Sequence, residues 1–384
     1  MMSDLFVVSM VFGTRPEAIK MAPLAAKLRE NSNIKLHICS TGQHREMLTQ
    51  VLDAFDLQAD EDLDVMTSGQ TLNGLSQVLL TRLDRSFEQT KPDIVLVHGD
   101  TTTSFMAAFA AFNRRIPVAH VEAGLRTGNM HSPWPEEANR ALTAVLANLH
   151  FAPTERDRNN LLEEGVDPSQ IEVTGNTVID ALLLMRDKLT QSGWAPDVAS
   201  PLGPLNSDRR VVLITGHRRE SFGDGFHRIC TAIADLADRN PDVMFVYPVH
   251  LNPVVQEAVY GVLDNKPNVL LVPPQGYLEF VWLMNRASII LTDSGGVQEE
   301  APALGRPVLV LRDVTERPSG ADSASMMVGT DHAKIVSAVQ KLLDDPDYYR
   351  EKSQTRSPFG DGHASERIEK RLNAWLARDR RSVA

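Results

Sequence analysis

Several short segments place polar and charged side chains directly after apolar runs, where a parallel sheet would present them to a ligand. Gly13-Thr14-Arg15-Pro16-Glu17 follows the apolar run 5–12. Gly13 allows a tight turn, Arg15 offers planar donors to a phosphate at a helix start, and Lys20 lies further along that helix. The bland alternative is a turn with solvated charges. Asp100 ends Val95-Leu96-Val97-His98-Gly99-Asp100, and its commoner role before a Thr-rich helix start is an N-cap. Glu122 ends Val118-Ala119-His120-Val121-Glu122, where a carboxylate at the end of a buried strand is less easily dismissed. Glu136 and Glu137 follow Pro133-Trp134-Pro135 at a helix start, where acidic residues ordinarily complement the macrodipole. Brought to one cleft, Asp100, Glu122 and Glu136 would suit acid–base work.

The second half repeats the arrangement. Gly216-His217-Arg218-Arg219-Glu220 ends an apolar run, and a histidine flanked by arginines there is a reasonable phosphate partner or a surface basic cluster. Ser294-Gly295-Gly296 follows another run and opens a helix, so a phosphate could approach the free N–H groups, although Gly-Gly also makes a flexible turn. Glu300, one turn on, could accept sugar hydroxyls, and Arg312 and Arg317 flank the exit of the next strand.

These residues need elements to carry them. Runs at 5–12, 35–40, 93–98, 117–121 and 149–152 read as strands, each followed by a helical pattern. The pattern restarts at 211–215, 243–247, 268–272, 288–292 and 307–311. Alternating strands and helices imply an α/β protein with two doubly wound, Rossmann-like domains facing across a cleft. Composition alone would place the linker at 192–208, rich in Pro, Gly and Ser.

The 384 residues exceed one ordinary core, and 42% apolar with 23% charged residues fits a soluble enzyme. No apolar run reaches the length of a membrane span, and the start of the chain lacks a signal-peptide pattern, so a cytoplasmic location is expected. Cys39 and Cys230 lie inside apolar patterns and read as buried thiols. A net charge of -11 argues against nucleic acid or anionic lipid as a partner. Neither a dinucleotide fingerprint nor a Walker loop follows any strand, and the sequence holds no Cys-x-x-Cys or His-Glu-x-x-His, so no metal site is expected.

Taken together, the motifs resemble the non-hydrolysing UDP-N-acetylglucosamine 2-epimerases. The resemblance is carried by Phe12-Gly13-Thr14-Arg15-Pro16-Glu17-Ala18-Ile19-Lys20, Gln43-His44-Arg45-Glu46-Met47, His98-Gly99-Asp100-Thr101, Glu122-Ala123-Gly124-Leu125-Arg126 and Pro133-Trp134-Pro135-Glu136-Glu137. In the second half it rests on Gly216-His217-Arg218-Arg219-Glu220, the run from Thr292 to Glu300, and Thr315-Glu316-Arg317-Pro318. It implies a glycosyltransferase-B architecture, with residues 1–176 and a C-terminal helix 364–384 in one domain and 177–363 in a UDP-binding domain. A homodimer without cofactor, acting on UDP-GlcNAc and UDP-ManNAc, is expected on the same ground.

By resemblance Asp100, Glu122 and Glu136 are acid–base candidates. His217 and Arg15 would stabilise or protonate the leaving diphosphate. Lys20, Ser294, Gly295, Gly296 and Arg317 would bind the UDP-sugar, Glu300 its ribose, and Gln275 and Tyr277 would frame uracil. An activator site is implied near Gln43, His44, Glu46 and Gln70, although Gly69 stands where some regulated relatives have Arg. Ser319 stands where many relatives have Glu. Three rivals stay open: a glycosyltransferase of the same fold, a hydrolysing epimerase, and a non-catalytic nucleotide-sugar sensor, which the three intact carboxylates disfavour.

Overall fold

The apolar runs pair as parallel strands in a computed structural model, which describes residues 5–42, 45–216, 223–313, 325–354 and 357–383. The first sheet holds β1 (Phe6–Phe12), β2 (Ile34–Ser40), β3 (Glu61–Asp62), β4 (Ile94–His98), β5 (Val118–Val121), β6 (Leu149–Ala152) and β7 (Ile171–Val173), in the order β3-β2-β1-β4-β5-β6-β7. The second holds β8 (Val211–Thr215), β9 (Met244–Pro248), β10 (Val269–Val272), β11 (Ile289–Thr292), β12 (Val308–Val310) and β13 (Ser325–Met327), in the order β10-β9-β8-β11-β12-β13. Helices alternate with the strands and cover both faces, so central strands such as β4 and β8 are buried throughout and apolar along most of their length. This is the doubly wound α/β class, twice over, that the alternation predicts. Each sheet reverses its order once, between β1 and β4 and between β8 and β11, and such switch points are where open α/β sheets take ligands.

The chain folds into two compact units, Met1–Ala181 with Phe359–Ala384 and Leu182–Pro358. Each unit has its own core, one around Val11, Leu79, Phe87 and Val95, the other around Ile214, Phe226, Phe245 and Leu291. The segment 192–208, a linker by composition, falls inside the second unit. Leu202 and Leu205 are buried there and Asn206 Nδ2 donates to the Pro196 carbonyl at 3.0 Å, so the prolines shape an anchored surface loop.

The helix Ala364–Val383 returns to the first unit. Asp180 accepts from Ala364 N at 3.2 Å and Ser365 N at 2.7 Å, capping the helix start. Beside this cap Asn176 N donates to the Phe359 carbonyl at 2.7 Å, and Gly175 (φ +87°) passes so close to Gly360 that an added Cβ would meet its Cα at 3.2 Å. Glycine is needed there on both counts.

Candidate active site

The first unit gathers its carboxylates just beyond β4 and β5, which pair with His98 opposite Val121. Glu122 follows β5 in a left-handed backbone conformation (φ +61°), unusual for a residue with a side chain. Its Oε2 lies 2.5 Å from Lys20 Nζ and 3.1 Å from His98 Nε2, with the Glu122 side chain 18% exposed. Burial alone would raise the Glu122 pKa, but the Lys20 ammonium and His98 outweigh it and hold the carboxyl well below the usual range. Glu122 is therefore ionised at neutral pH. An ionised carboxylate beside a cation can accept a proton, and the cation offsets repulsion from an incoming anion.

Asp100 is not the N-cap of the helix Thr102–Asn113; Thr101 takes that role, accepting from Ser104 N. The commoner role for an aspartate before a helix is thus occupied, and the Asp100 carboxylate turns instead to Arg140, whose Nη2 donates to Oδ2. Asn139 Nδ2 donates to the Asp100 carbonyl at 3.0 Å. Both partners lie in the first turns of the helix Glu136–Leu146, which Glu136 opens. Glu136 and Glu137 do occupy a helix first turn, yet Glu137 does more than complement a dipole. It accepts from Thr127 N at 2.9 Å and Gly128 N at 3.0 Å and lies 3.2 Å from Arg140 Nη1.

Glu17 ties two strand ends together. One oxygen accepts from Gly13 N at 3.1 Å, Thr14 N and Thr14 Oγ1 at 2.8 Å; the other accepts from Thr101 Oγ1 at 2.7 Å and Ser104 Oγ at 2.9 Å. The turn that carries Arg15 is thereby fixed to the turn that carries Asp100, across the switch point between β1 and β4. Arg126 is paired with Glu164 through two 2.7 Å hydrogen bonds and so anchors the loop after β5. Gly124 in that loop has φ +97°, and a Cβ there would lie 2.3 Å from the Asp157 carbonyl oxygen.

His120, wholly buried on β5, has Nε2 2.7 Å from the Gly99 carbonyl, which makes Nε2 the protonated, donating nitrogen and fixes the turn before Asp100. Burial lowers its pKa to about 3, against the opposing Gly99 hydrogen bond, and burial likewise lowers His150 to about 4. The unfolded chain takes up protons below pH 6.5 that the folded chain refuses, so stability is full above pH 6.5 and falls as pH drops towards the folded values. Carboxylates with ordinary values titrate below about 4.5, so between pH 6.5 and about 4.5 the buried histidines contribute to the slope beside Asp157 and Asp180, whose carboxyls burial raises. His120→Gln keeps a donor near the Nε2 position and cannot titrate. It should make the stability slope in that window shallower by about 1.4 kcal/mol per pH unit, read by denaturant titration at stepped pH. An unchanged slope would mean that His120 protonates inside the fold.

In the second unit the switch point lies between β8 and β11. Thr215 Oγ1 and Thr292 Oγ1 meet at 2.6 Å across it, and Ser294 N donates to Thr292 Oγ1 at 3.0 Å. Ser294 is the N-cap of the helix Gly295–Ala303 but makes no side-chain cap hydrogen bond, and Gly295 and Gly296 form its first turn. Glu300 is buried, with Oε2 3.6 Å from where a Cβ on Gly296 would stand. Tyr247, wholly buried, donates to the Gly216 carbonyl at 3.0 Å and steadies the turn after β8. Gln275 and Tyr277 follow β10 at the sheet edge; Gln275 Nε2 donates to the Pro273 carbonyl at 2.5 Å and Tyr277 is buried at the start of its helix.

His217, Arg317, Gln43 and His44 lie outside the described residues, as does the side chain of Glu46. Gln70 accepts from Thr67 N at 3.3 Å just before the helix Leu72–Thr90. Among the described residues no His, Cys, Asp and Glu cluster could hold a metal. The structure adds His98, Arg140, Glu17 and Tyr247 to the residues given a role by sequence, and it gives Glu137, read there as complementing the helix dipole, backbone and Arg140 partners. Of these, Glu17 had a readable signal, the capping-box spacing Thr14-x-x-Glu17, and Glu137 with Arg140 had the helical i, i+3 spacing.

A family model described as UDP-N-acetylglucosamine 2-epimerase matches residues 26–373. A curated UDP-N-acetylglucosamine 2-epimerase of Yersinia pestis is 54% identical over 367 residues, covering 94% of this chain and 97% of the relative. Its counterpart in Escherichia coli K12 is 54% identical over 360 residues, covering 93% and 96%. Among solved structures, the UDP-GlcNAc 2-epimerase of Neisseria meningitidis bound to UDP-GlcNAc is 47% identical and aligns with 96% of this chain and 100% of its own at a TM-score of 0.84.

Proposed function

The chain belongs to the UDP-N-acetylglucosamine 2-epimerase family, and from that premise we propose that it interconverts UDP-GlcNAc and UDP-ManNAc by the non-hydrolysing route. Carbon 2 of the sugar has no neighbouring carbonyl to acidify its proton, so direct deprotonation is unfavourable. Elimination avoids the difficulty. A base removes the carbon-2 proton, the C–H electron pair becomes the carbon-1 to carbon-2 double bond, and the carbon-1 to oxygen bond breaks to release UDP. UDP then adds back to carbon 1 of 2-acetamidoglucal while a proton reaches carbon 2 on the other face.

The observation that carries this reading is the pair of carboxylates at neighbouring strand ends, each fixed by its own cation: Glu122 by Lys20 and Asp100 by Arg140. Two faces of one carbon need an acceptor and a donor, and two differently held carboxylates can supply them. In the proposal Glu136 completes the acid–base set. Arg15, Lys20, His217 and Arg317 would meet the diphosphate as its charge develops. Ser294, Gly295 and Gly296 would cradle phosphate, Glu300 would accept from ribose, and Gln275 and Tyr277 would frame uracil.

Proton NMR of the purified protein with UDP-GlcNAc in deuterated water tests this. UDP-ManNAc carrying deuterium at carbon 2, formed without added nicotinamide, is expected. Free ManNAc with UDP would instead identify a hydrolysing epimerase, and full retention of the carbon-2 proton would exclude elimination.

A further inference from the structure

We propose that Arg140, held by Glu137, is a positioning residue that sets the orientation of the Asp100 carboxylate for proton transfer. The inference rests on the acid–base role given to Asp100 above. Arg140 is 6% exposed and Glu137 2%, so both charges lie out of water. Burying an arginine there is costly unless its charge is matched. Arg140 divides its guanidinium: Nη2 donates to Asp100 Oδ2, and Nη1 lies 3.2 Å from Glu137 Oε2. Among the described residues neither Arg140 Nε nor Glu137 Oε2 has a hydrogen-bond partner, so the Asp100 end of the guanidinium is held by a hydrogen bond and the Glu137 end by charge alone.

The far end of this bridge cannot swing. Glu137 Oε1 is fixed by the Thr127 and Gly128 amides at 2.9 and 3.0 Å. A planar guanidinium drawn at one end to a fixed carboxylate has a restricted range of directions for its other end. That range limits the rotation of the Asp100 carboxyl about its own bond. Asn139, from the same helix turn, holds the Asp100 carbonyl at 3.0 Å, so backbone and side chain of one residue are located by one element. The same turn begins with Glu136, so a single rigid element locates Asp100 and carries Glu136. A lysine could match the charge but not the plane.

Arg140→Lys tests orientation apart from charge. Misplacing a reacting group by about 1 Å can cost about 10²-fold in rate. Arg140→Lys should therefore lower kcat by about 10²-fold with KM for UDP-GlcNAc changed by less than about threefold. In an Asp100→Asn background the same substitution should cost less than about threefold more, because the group it orients has already lost its function. Added guanidinium ion should restore part of the turnover of Arg140→Ala and none of that of the Asp100→Asn, Arg140→Ala double variant. Multiplicative losses in the two backgrounds, or wild-type turnover in Arg140→Lys, would overturn the proposal while leaving the Asp100 role intact. Near-normal turnover in Asp100→Asn would overturn both.

Discussion

Glu122→Gln and Asp100→Asn should each lower turnover by about 10²–10⁴-fold, the ordinary range for a lost general acid or base, while UDP affinity changes far less. Both substitutions keep shape and remove the titrating oxygen. The environments differ, and so should the details. Glu122 is pressed between Lys20 and His98, which keep it ionised. The amide in Glu122→Gln leaves Lys20 without its countercharge, so this variant should also bind UDP-sugar more tightly than wild type or equally well, the freed ammonium being available to the diphosphate. Asp100→Asn faces Arg140 instead, which keeps Glu137 as its second partner. Isothermal titration with UDP and steady-state kinetics with UDP-GlcNAc separate the two effects. If both variants turn over at near-normal rates, the carboxylates are structural and the elimination has another base.

The fold was legible wherever an apolar run was long enough to carry a period. The strands that sequence patterning did not mark are β3, β7 and β13: Glu61-Asp62, Ile171-Glu172-Val173 and Ser325-Met326-Met327. All three are sheet edges, where one side of the strand lacks a hydrogen-bonded neighbour and short, polar sequences are tolerated. The linker at 192–208 was misplaced because proline and glycine mark any surface loop, whether or not two domains meet there. At the site, the positions of Asp100, Glu122 and Ser294 followed from strand ends. Their partners did not. Lys20 and Glu122 are 102 residues apart, and Asp100 and Arg140 are 40 apart, distances that no local spacing rule bridges. Only the sheet order, which brings β1, β4 and β5 side by side, makes those pairs neighbours.

That same order makes Glu17 the residue whose loss should disturb the first unit most widely. Glu17 is 2% exposed and, among the described residues, carries no cation among its hydrogen-bonding partners; it is satisfied by backbone amides and hydroxyls from two turns. Glu17→Ala removes the acceptor and strands the Gly13 and Thr14 amides and the Thr101 and Ser104 hydroxyls in a water-poor pocket. Leaving one buried donor unpaired costs about 1–3 kcal/mol, and hydrogen bonds to a charged group about 1.5–3 kcal/mol each. Some donors will find new partners, as Ser104 Oγ already does with the His98 carbonyl. A net loss of about 3 kcal/mol follows, and with it a fall of about 6–12 °C in the thermal midpoint of this unit. Glu17→Gln is the sharper probe, since it keeps volume and one acceptor but turns a second acceptor into a donor that faces donors. It should fold, yet loosen the tether between the Arg15 turn and the Asp100 turn, so that kcat falls by about 10-fold or more even at temperatures where the protein is fully native. Calorimetry and kinetics on the same preparation separate the two consequences. A Glu17→Gln protein with native midpoint and native kcat would show that the two turns hold their places without it.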